Sequence, residues 1–231
     1  MKTLITGANR GLGLEFVRQL ATRGDSIFAT CRFPDAADLL SSLQEEFPDL
    51  ISITALDVTD KRSISESHRC ISAQTKTLDL LINNAGVDTD DGGLGVFNPE
   101  TIQDILNVNA IGPLLTTQQY LHMLQDGNQP TIVNISSRWG SIASLETPGP
   151  YTYSASKAAL NMYTRCLSHD LHEQGIIVVA LSPGWVITDM GGPNANITSQ
   201  DSIHSMLQFI DALSLEHSGG FYDYTGHPVP W

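Results

Sequence analysis

Six short apolar runs alternate along the chain with amphipathic segments of helical length, and this alternation constrains the fold more than any other feature. The runs are rich in leucine and β-branched residues, the composition of strands that are buried on both faces of a sheet. Strands that alternate with helices are typical of parallel sheets, because parallel neighbours need a crossover connection. The predicted strands are Lys2–Thr6, Ser26–Thr30, Ile51–Leu56, Leu78–Ile82, Thr131–Ile135 and Ile176–Leu181.

The segments between the runs predict helices on both faces of a mostly parallel sheet. Asn98, Pro99 and Glu100 follow the residue order of a helix N-terminus: a cap, an N1 proline and a first-turn acid. No repeat or linker interrupts the pattern, so we predict one doubly wound domain over residues 1–231. The predicted helices are Gly13–Thr22, Asp35–Glu46, Arg62–Ala73, Pro99–Leu124 and Tyr153–Glu173, with a further amphipathic stretch near Asp201–Leu215.

Composition excludes several classes of protein. With 41% hydrophobic and 16% charged residues, the chain is too apolar to be disordered. A net charge of −13 over 231 residues disfavours binding to nucleic acid or to an anionic membrane. No stretch approaches the roughly 18 apolar residues of a membrane span, and Gly7 precedes any apolar core of a signal peptide.

The three cysteines are an odd number without C-x-x-C spacing, so neither a disulfide framework nor a zinc site is expected. This usage is typical of a reducing compartment, and we predict a cytoplasmic protein without a bound metal. The charge is also uneven. Residues 1–32 hold five basic residues against two acids, whereas seven acids and no Lys or Arg follow Arg165.

The first predicted strand runs directly into a glycine-rich turn, Thr6-Gly7-Ala8-Asn9-Arg10-Gly11-Leu12-Gly13. Glycines let the backbone turn tightly and approach a pyrophosphate, which then lies at the N-terminus of the next helix. The spacing differs from the commoner G-x-G-x-x-G, so the turn alone also fits a strand–helix connection without a ligand.

The residues after the second predicted strand bear on the choice of dinucleotide. An NAD site usually places an acid here for the adenosine ribose, but the chain has Arg32 and no acid before Asp35. Arg32, together with Arg10, could pair with a 2′-phosphate, which favours NADP(H) over NAD(H). The alternative is that Arg32 is a solvated surface charge and Asp35 caps the next helix.

Tyr153 and Lys157 are four residues apart in a predicted helix, so both side chains project from one face. An unperturbed tyrosine has a pKa of about 10, and a nearby ammonium is expected to lower that pKa towards neutrality. Tyr151 and Tyr163 have Ala155 and Leu167 at the corresponding position, so Tyr153 is the candidate proton donor. Such a pair alone is also compatible with ordinary packing.

Together with these motifs, several others stand in an order that resembles the short-chain dehydrogenase/reductase family and its Rossmann fold. The ending Gly219–Trp231 and the pair Tyr151 and Tyr153 are similar to its C-factor and sniffer-type carbonyl reductases. The resemblance covers nearly the whole chain. The matching elements are Thr6–Gly13, Asp57, Asn83–Gly86, Asn109, Ser136–Ser137, Tyr153 with Lys157, and Pro183–Gly184.

The resemblance implies an NADP(H)-dependent oxidoreductase that interconverts aldehydes or ketones and alcohols. Tyr153 would be the acid/base, Lys157 and Asn109 its assistants, and Ser137, rather than Ser136, the hydrogen-bond donor to the substrate oxygen, because Ser137 begins S-x-x-G. The implied cofactor contacts are Gly7, Asn9, Arg10, Gly11, Leu12, Gly13, Arg32, Asp57, Val58, Asn83, Ala85, Gly86, Tyr153, Lys157, Pro183, Gly184, Val186 and Thr188.

The chain departs from the family in two places. Ser137 and Tyr153 are further apart than is common, which predicts a longer loop around Leu145–Pro150, and the segment Asp189–Gln200 is short, which predicts an open pocket. We expect a small, neutral, fairly apolar carbonyl substrate, and a homodimer or homotetramer by analogy with the family. A noncatalytic dinucleotide-binding signalling protein is the alternative. Candidate pocket walls, for which core packing is the other interpretation, are Trp139, Leu145, Tyr151, Trp185 and Met190.

Overall fold

The computed structural model of the protein describes residues 1–147 and 149–231. Its strands are β1 Lys2–Thr6, β2 Ser26–Cys31, β3 Ile51–Ala55, β4 Leu80–Asn83, β5 Thr131–Ile135, β6 Ile177–Ser182 and β7 Phe221–Asp223. They form one sheet in the order β3-β2-β1-β4-β5-β6-β7, and every neighbouring pair is parallel. The predicted doubly wound Rossmann architecture is confirmed, with a sheet that is wholly rather than mostly parallel.

The helices are α1 Gly11–Thr22, α2 Asp38–Glu46, α3 Lys61–Ser72, α4 Pro99–Leu106, α5 Gly112–Gln125, α6 Tyr151–Asp170 and α7 Ser199–Asp211. The single helix predicted over Pro99–Leu124 is interrupted by a π-helical turn at Asn107–Ile111. Asn98 caps α4, as predicted: its Oδ1 accepts hydrogen bonds from the N–H groups of Glu100 at 2.9 Å and Thr101 at 3.2 Å. The other predicted helices differ from the observed ones mainly at their ends.

Strand β7 was absent from the predicted set. It is three residues long and follows two glycines, so its sequence carries no readable alternation. It pairs with β6 in parallel, with Ala180 opposite Phe221. The ring of Phe221 stacks against Trp231 at 5.6 Å between centroids, which draws the last residues onto this edge of the sheet.

Apolar side chains cover both faces of the sheet. One cluster joins β1, β2 and β6 to α1 and α7 through residues such as Phe16, Leu20 and Met206. The other lies under α3 and α5, where Ile71 and Tyr120 are fully buried. This burial on both faces explains why the strands read as continuous apolar runs. Within the described residues, no helix has the length and apolarity needed to cross a membrane.

Candidate active site

The predicted site residues follow the carboxyl ends of six strands. Because the strands are parallel, these ends meet at one edge of the sheet, where open α/β folds bind ligands. Gly7–Gly13 follow β1, Arg32 follows β2, Asp57 and Val58 lie just after β3, Asn83–Gly86 end β4, Ser137 lies just after β5, and Pro183–Thr188 follow β6. The fold therefore brings the separate motifs to one side of the molecule.

The glycine turn has the geometry of an anion cradle. Gly7 and Gly11 have positive φ angles of 66° and 55°, which side-chain-bearing residues rarely adopt. A Cβ on Gly13 would lie 2.2 Å from the carbonyl oxygen of Gly7, so the turn can close only around a glycine. Helix α1 begins here without a side-chain cap or a first-turn acid, which leaves its N–H groups available to a pyrophosphate.

Asn84 fastens the glycine turn to the end of β4. Its Nδ2 donates to the carbonyl oxygens of Thr6 at 2.8 Å and Gly7 at 3.0 Å. The Thr6 hydroxyl accepts from the N–H groups of both Asn84 and Ala85 at 3.0 Å. Asn84 was not predicted to have a role of its own, although a pair of asparagines after an apolar run is a visible signal. The neighbouring Asn83 side chain turns into the interior and donates to Asn134 at 2.8 Å.

The two arginines proposed for a 2′-phosphate differ in their surroundings. Arg32 is exposed, its guanidinium carbon lies 5.9 Å from the centroid of the Phe33 ring, and it makes no ion pair within the described residues. Arg10 instead donates to Asp189 at 2.8 Å, with both side chains mostly exposed. An exposed pair of this kind stabilises the fold by at most about 1 kcal/mol, so it competes weakly with a phosphate.

The loops after β3 and β6 complete this edge. Asp57 fixes its own turn by accepting from the N–H of Thr59 at 2.9 Å and from its hydroxyl at 2.7 Å. Val58 is buried and packs on Gly112. Thr188 accepts from the N–H of Gly191 at 3.1 Å, and its methyl carbon lies 3.8 Å from the position of a Cβ on Gly11. The loop after β6 therefore faces the glycine turn directly.

Tyr153, Lys157 and Ser137 come together beside these loops. Lys157 is 4% exposed, and its Nζ lies 5.6 Å from the centroid of the Tyr153 ring. The same Nζ donates to the carbonyl oxygen of Ile135, at the end of β5, at 2.9 Å. Ser137 begins the short turn after β5, and its side chain lies close enough to the Tyr153 phenol to affect the pKa of that phenol.

The electrostatics of this pair differ from the expectation. Burial raises the pKa of Tyr153 to about 12, and the nearby Ser137 side chain only partly opposes this. Burial lowers the pKa of Lys157 to about 8, against a smaller raising effect of Asp88. The net shift of the Tyr153 pKa is therefore upward, opposite to the lowering expected from the spacing of Tyr153 and Lys157. The ammonium lies near the ring and donates to a carbonyl, and desolvation dominates.

Asn109, in the π-helical turn, forms hydrogen bonds with the loop after β4 and with α6. It is fully buried, accepts from the N–H of Val87 at 2.8 Å, and donates to the Val87 carbonyl oxygen at 2.8 Å. It also donates to the hydroxyl of Ser156 at 3.0 Å, which in turn donates to the carbonyl oxygen of Tyr153 at 2.7 Å. Ser156 was missed from the sequence, although it lies between the two residues singled out there.

A family model for short chain dehydrogenases matches residues 2–198 of the chain. The chain is a short chain dehydrogenase. The family resemblance read from its motifs is thereby confirmed, and the carboxyl edge of the sheet described above is the expected position of the site in this family.

Similarities to individual proteins agree with this family assignment. C-signal from Myxococcus xanthus is 45% identical over 157 residues, which are 68% of this chain and 95% of that protein. The NADPH-bound carbonyl reductase from chicken fatty liver has a TM-score of 0.94 and 38% identity, covering 100% of this chain and 98% of that one. Carbonyl reductase Sniffer of D. melanogaster has a TM-score of 0.94 and 33% identity, covering 100% and 99%. This short chain dehydrogenase is therefore an oxidoreductase with the fold of carbonyl reductases.

The two adjacent serines of the short chain dehydrogenase have different environments. Ser136 is buried, and its hydroxyl donates to Asn161 at 2.6 Å. Ser137 is partly exposed and faces Tyr153. Gly140, the last residue of S-x-x-G, packs closely on α6. A Cβ at Gly140 would lie 2.8 Å from the carbonyl carbon of Lys157. The motif thus needs glycine for close packing, and the structure favours Ser137 as the accessible hydroxyl.

The predicted pocket walls are not core residues. All five are between 40% and 56% exposed, which excludes core packing: Trp139, Leu145, Tyr151, Trp185 and Met190. Further exposed apolar residues, not predicted as walls, are Ile142 after β5, Ile187 after β6, and Leu94 and Val96 in the loop after β4. A cavity of about 400 Å³ lies between Leu145 and Tyr151. The longer loop predicted at Leu145–Pro150 includes Pro148, which lies outside the described residues.

Proposed function

We propose that this short chain dehydrogenase is an NADP(H)-dependent carbonyl reductase that converts neutral, largely apolar aldehydes and ketones to alcohols and also runs in reverse. The proposal rests above all on one observation: the buried Lys157 ammonium lies beside the Tyr153 ring, with the Ser137 side chain near the phenol. These groups lie at the same sheet edge as the glycine turn. We further propose one domain over residues 1–231, a cytoplasmic location and a homo-oligomer.

The chemistry divides between cofactor and protein. A bound nicotinamide would supply the hydride. Tyr153 would donate its phenolic proton to the carbonyl oxygen of the substrate. A pKa of about 12 keeps this phenol protonated at neutral pH, as a proton donor for reduction requires. The Ser137 hydroxyl donates a hydrogen bond to the same oxygen, which strengthens as negative charge develops there. For the reverse reaction, the positive charge of Lys157 favours the phenolate.

The described residues fit the cofactor. The uncapped N-terminus of α1 and the Gly7–Gly13 turn would hold the pyrophosphate, and Arg32 the 2′-phosphate. Lys157 would bind the nicotinamide ribose. The remaining contacts proposed are Asp57 and Val58 for the adenine, the backbone of Asn83, Ala85 and Gly86 beside the cofactor, and Pro183, Gly184, Val186 and Thr188 for the carboxamide.

The surroundings of the site favour neutral substrates. Seven acids and no Lys or Arg follow Arg165 in the sequence, and Arg165 itself donates to the carbonyl oxygen of Gly219 at 3.2 Å. Arg138 is the one nearby cation proposed to face the pocket. The exposed apolar walls instead suit hydrophobic groups. Acyl-CoA or phosphorylated substrates are therefore expected to have a lower kcat/KM than neutral ketones of similar size.

The test is NADPH oxidation by the purified protein on a panel of neutral aldehydes and ketones. Tyr153→Phe should lower kcat by about 10³-fold while leaving the Kd for NADPH within about twofold, because only the transferred proton is lost. Tyr163→Phe is the matched control, since Tyr163 lies on the same helix but belongs neither to the predicted site nor to the pocket walls. Its kcat should stay within about twofold of wild type.

Two results would count against the proposal. Preference for phosphorylated carbonyls by more than about tenfold in kcat/KM would overturn the substrate class. NADPH binding without any turnover that depends on Tyr153 would favour the alternative, a noncatalytic signalling protein. The relative called C-signal is the reason to include that outcome.

A further inference from the structure

The loop between β4 and α4 is fastened to the start of α6 by one buried carboxylate. Asp91 is only 8% exposed, and its Oδ2 accepts a hydrogen bond from the N–H of Thr152 at 2.9 Å. Helix α6 has no cap from its own flanking residues, since Pro150 at the N-cap position makes no side-chain bond. Most helices satisfy such an N–H group with a side chain next to it in sequence. The N–H of Thr152 is instead bonded to Asp91, which lies 61 residues earlier in the chain.

The same loop is shaped to present this carboxylate. The Asp91 Oδ1 accepts from the N–H of Gly93 at 3.2 Å, and the Asp91 carbonyl oxygen accepts from the N–H of Asn98 at 3.2 Å. The ring of Phe97 meets Tyr151 edge to face, with centroids 5.3 Å apart. The loop thus contacts two successive residues of α6, directly before Tyr153.

Charge strengthens this contact. A carboxylate at a helix N-terminus is stabilised by the partial positive charge of the free N–H groups. The nearby Thr152 side chain and the main-chain N–H groups of Thr152 and Gly93 hold the pKa of Asp91 below its usual range. Asp91 therefore remains charged, and a full hydrogen-bond acceptor, at any pH at which the reductase is expected to work.

We propose that Asp91 is a positioning residue of this enzyme: it fixes the first turn of α6 so that the Tyr153 phenol is held between Ser137 and Lys157. The proposal rests on the proposed reductase function, in which Tyr153 donates the proton. Asp91 acts through Thr152 and not on the substrate. Its loss should affect proton transfer more than cofactor binding, because the glycine turn belongs to other elements.

The experiment compares Asp91→Ala with wild type in steady-state reduction of one neutral ketone, with kcat expressed per NADPH-binding site measured by titration. We expect kcat to fall about tenfold or more, since small displacements of a reacting group cost rate steeply, while the Kd for NADPH changes less than about twofold. Asp90→Ala is the matched control: Asp90 is the preceding acid, and within residues 1–147 and 149–231 its side chain accepts only from the N–H of Gly92, at 2.9 Å. Its kcat should match wild type.

Rescue distinguishes positioning from general damage. Asp91→Asn keeps an oxygen for the N–H of Thr152, so its kcat should recover to within about threefold of wild type. If Asp91→Ala does not fold, Asp91→Ser replaces it, because serine favours turns but its hydroxyl is one bond shorter. Hydrogen exchange of the Tyr151–Ser156 amides should be faster in the variant that lacks the acceptor, and unchanged near Asp170.

The outcomes separate the two proposals. If the wild-type protein reduces no carbonyl compound, the proposed reductase function is contradicted. The hydrogen-exchange comparison then still tests whether Asp91 holds the first turn of α6. Wild-type reduction together with an unchanged kcat per site in Asp91→Ala overturns the role of Asp91 alone. An Asp91→Asn variant as slow as Asp91→Ala would also overturn it, because the acceptor for Thr152 would then be irrelevant.

Discussion

The candidate site has two regions with opposite character, which we call the floor and the rim. The floor is the buried polar group Asn83, Asn109, Ser156 and Lys157, whose side chains all make hydrogen bonds inside the protein. The rim is the set of apolar side chains in the loops above it, which are between 51% and 81% exposed: Leu94, Val96, Ile142, Leu145 and Trp185.

The difference between floor and rim indicates which residues carry the reaction and which determine substrate selectivity. A buried polar group that lacks a partner costs free energy, so each floor position accepts few residue types. Asn109, for example, makes three hydrogen bonds to Val87 and Ser156. Rim residues have no such restriction and can change with the substrate. We therefore assign the proton transfer to the floor and the choice of carbonyl compound to the rim.

The largest expected effect in the floor is that of Lys157→Met. Loss of the ammonium should lower kcat/KM by about 10³-fold, the upper range for removal of an acid–base assistant. The same change should raise the free energy of unfolding near pH 7 by about 2 kcal/mol. Burial shifts the Lys157 pKa from 10.5 to about 8, equivalent to about 3 kcal/mol, and the lost bond to Ile135 offsets about 1 kcal/mol.

The pH dependence of that stabilisation checks its origin. Because the folded state binds the Lys157 proton more weakly than the unfolded state, the cost of burial is complete below pH 8. It disappears as the pH rises from about 8 to 10.5. Urea unfolding of both proteins should therefore show a difference that shrinks over this range. A lower stability of Lys157→Met near pH 7 would contradict this account.

Asn109→Ala tests the floor through stability. It leaves the Val87 backbone groups and the Ser156 hydroxyl without their partner in a fully buried position, which should lower the free energy of unfolding by about 3 kcal/mol. Ile142→Ala is the rim control, because Ile142 is 79% exposed, and should change it by about 0.5 kcal/mol or less. Similar losses in the two variants would remove the distinction between floor and rim.

The sequence predicted the part of the site in which chemistry dictates residue type and spacing. Tyr153 and Lys157 stand one helical turn apart, and Gly13 lies where a Cβ would meet the Gly7 carbonyl oxygen. Asn84 and Asp91 escaped prediction because their roles depend on backbone groups that are distant in sequence. Asn84 binds Thr6, and Asp91 binds Thr152, only after the sheet brings these segments together.

The fold was predicted on the same physical basis. Buried parallel strands need long apolar runs, and all six predicted runs contain the observed strands or most of them. The edge strand β7 has only three residues and lacked such a run. The π-helical turn at Asn107–Ile111 also escaped prediction, because the hydrogen bonds of Asn109 that accompany it are tertiary.

Arg32→Ala tests whether an exposed residue outside the floor contributes strongly to cofactor binding. If Arg32 holds the 2′-phosphate, its loss should weaken NADPH binding by about 10- to 100-fold, the range of a charge-assisted pair, and leave NADH binding unchanged. Arg69→Ala, in the last turn of α3, is a control that should alter neither Kd. Equal wild-type affinities for NADPH and NADH would overturn the cofactor preference itself.

The smallest expected effect concerns Asp88, in the loop between β4 and α4, whose charge acts on Tyr153 and Lys157. Its carboxylate raises the pKa of both Tyr153 and Lys157, and its own pKa is raised by burial and then by Asp91. Asp88→Asn removes that negative charge, so Tyr153 and Lys157 should both lose their protons at lower pH. The alkaline fall of kcat/KM for reduction should therefore move to lower pH, whereas Asp90→Asn should leave it in place. A profile that stays fixed or moves to higher pH in Asp88→Asn would show that the floor is electrostatically independent of the loops around it.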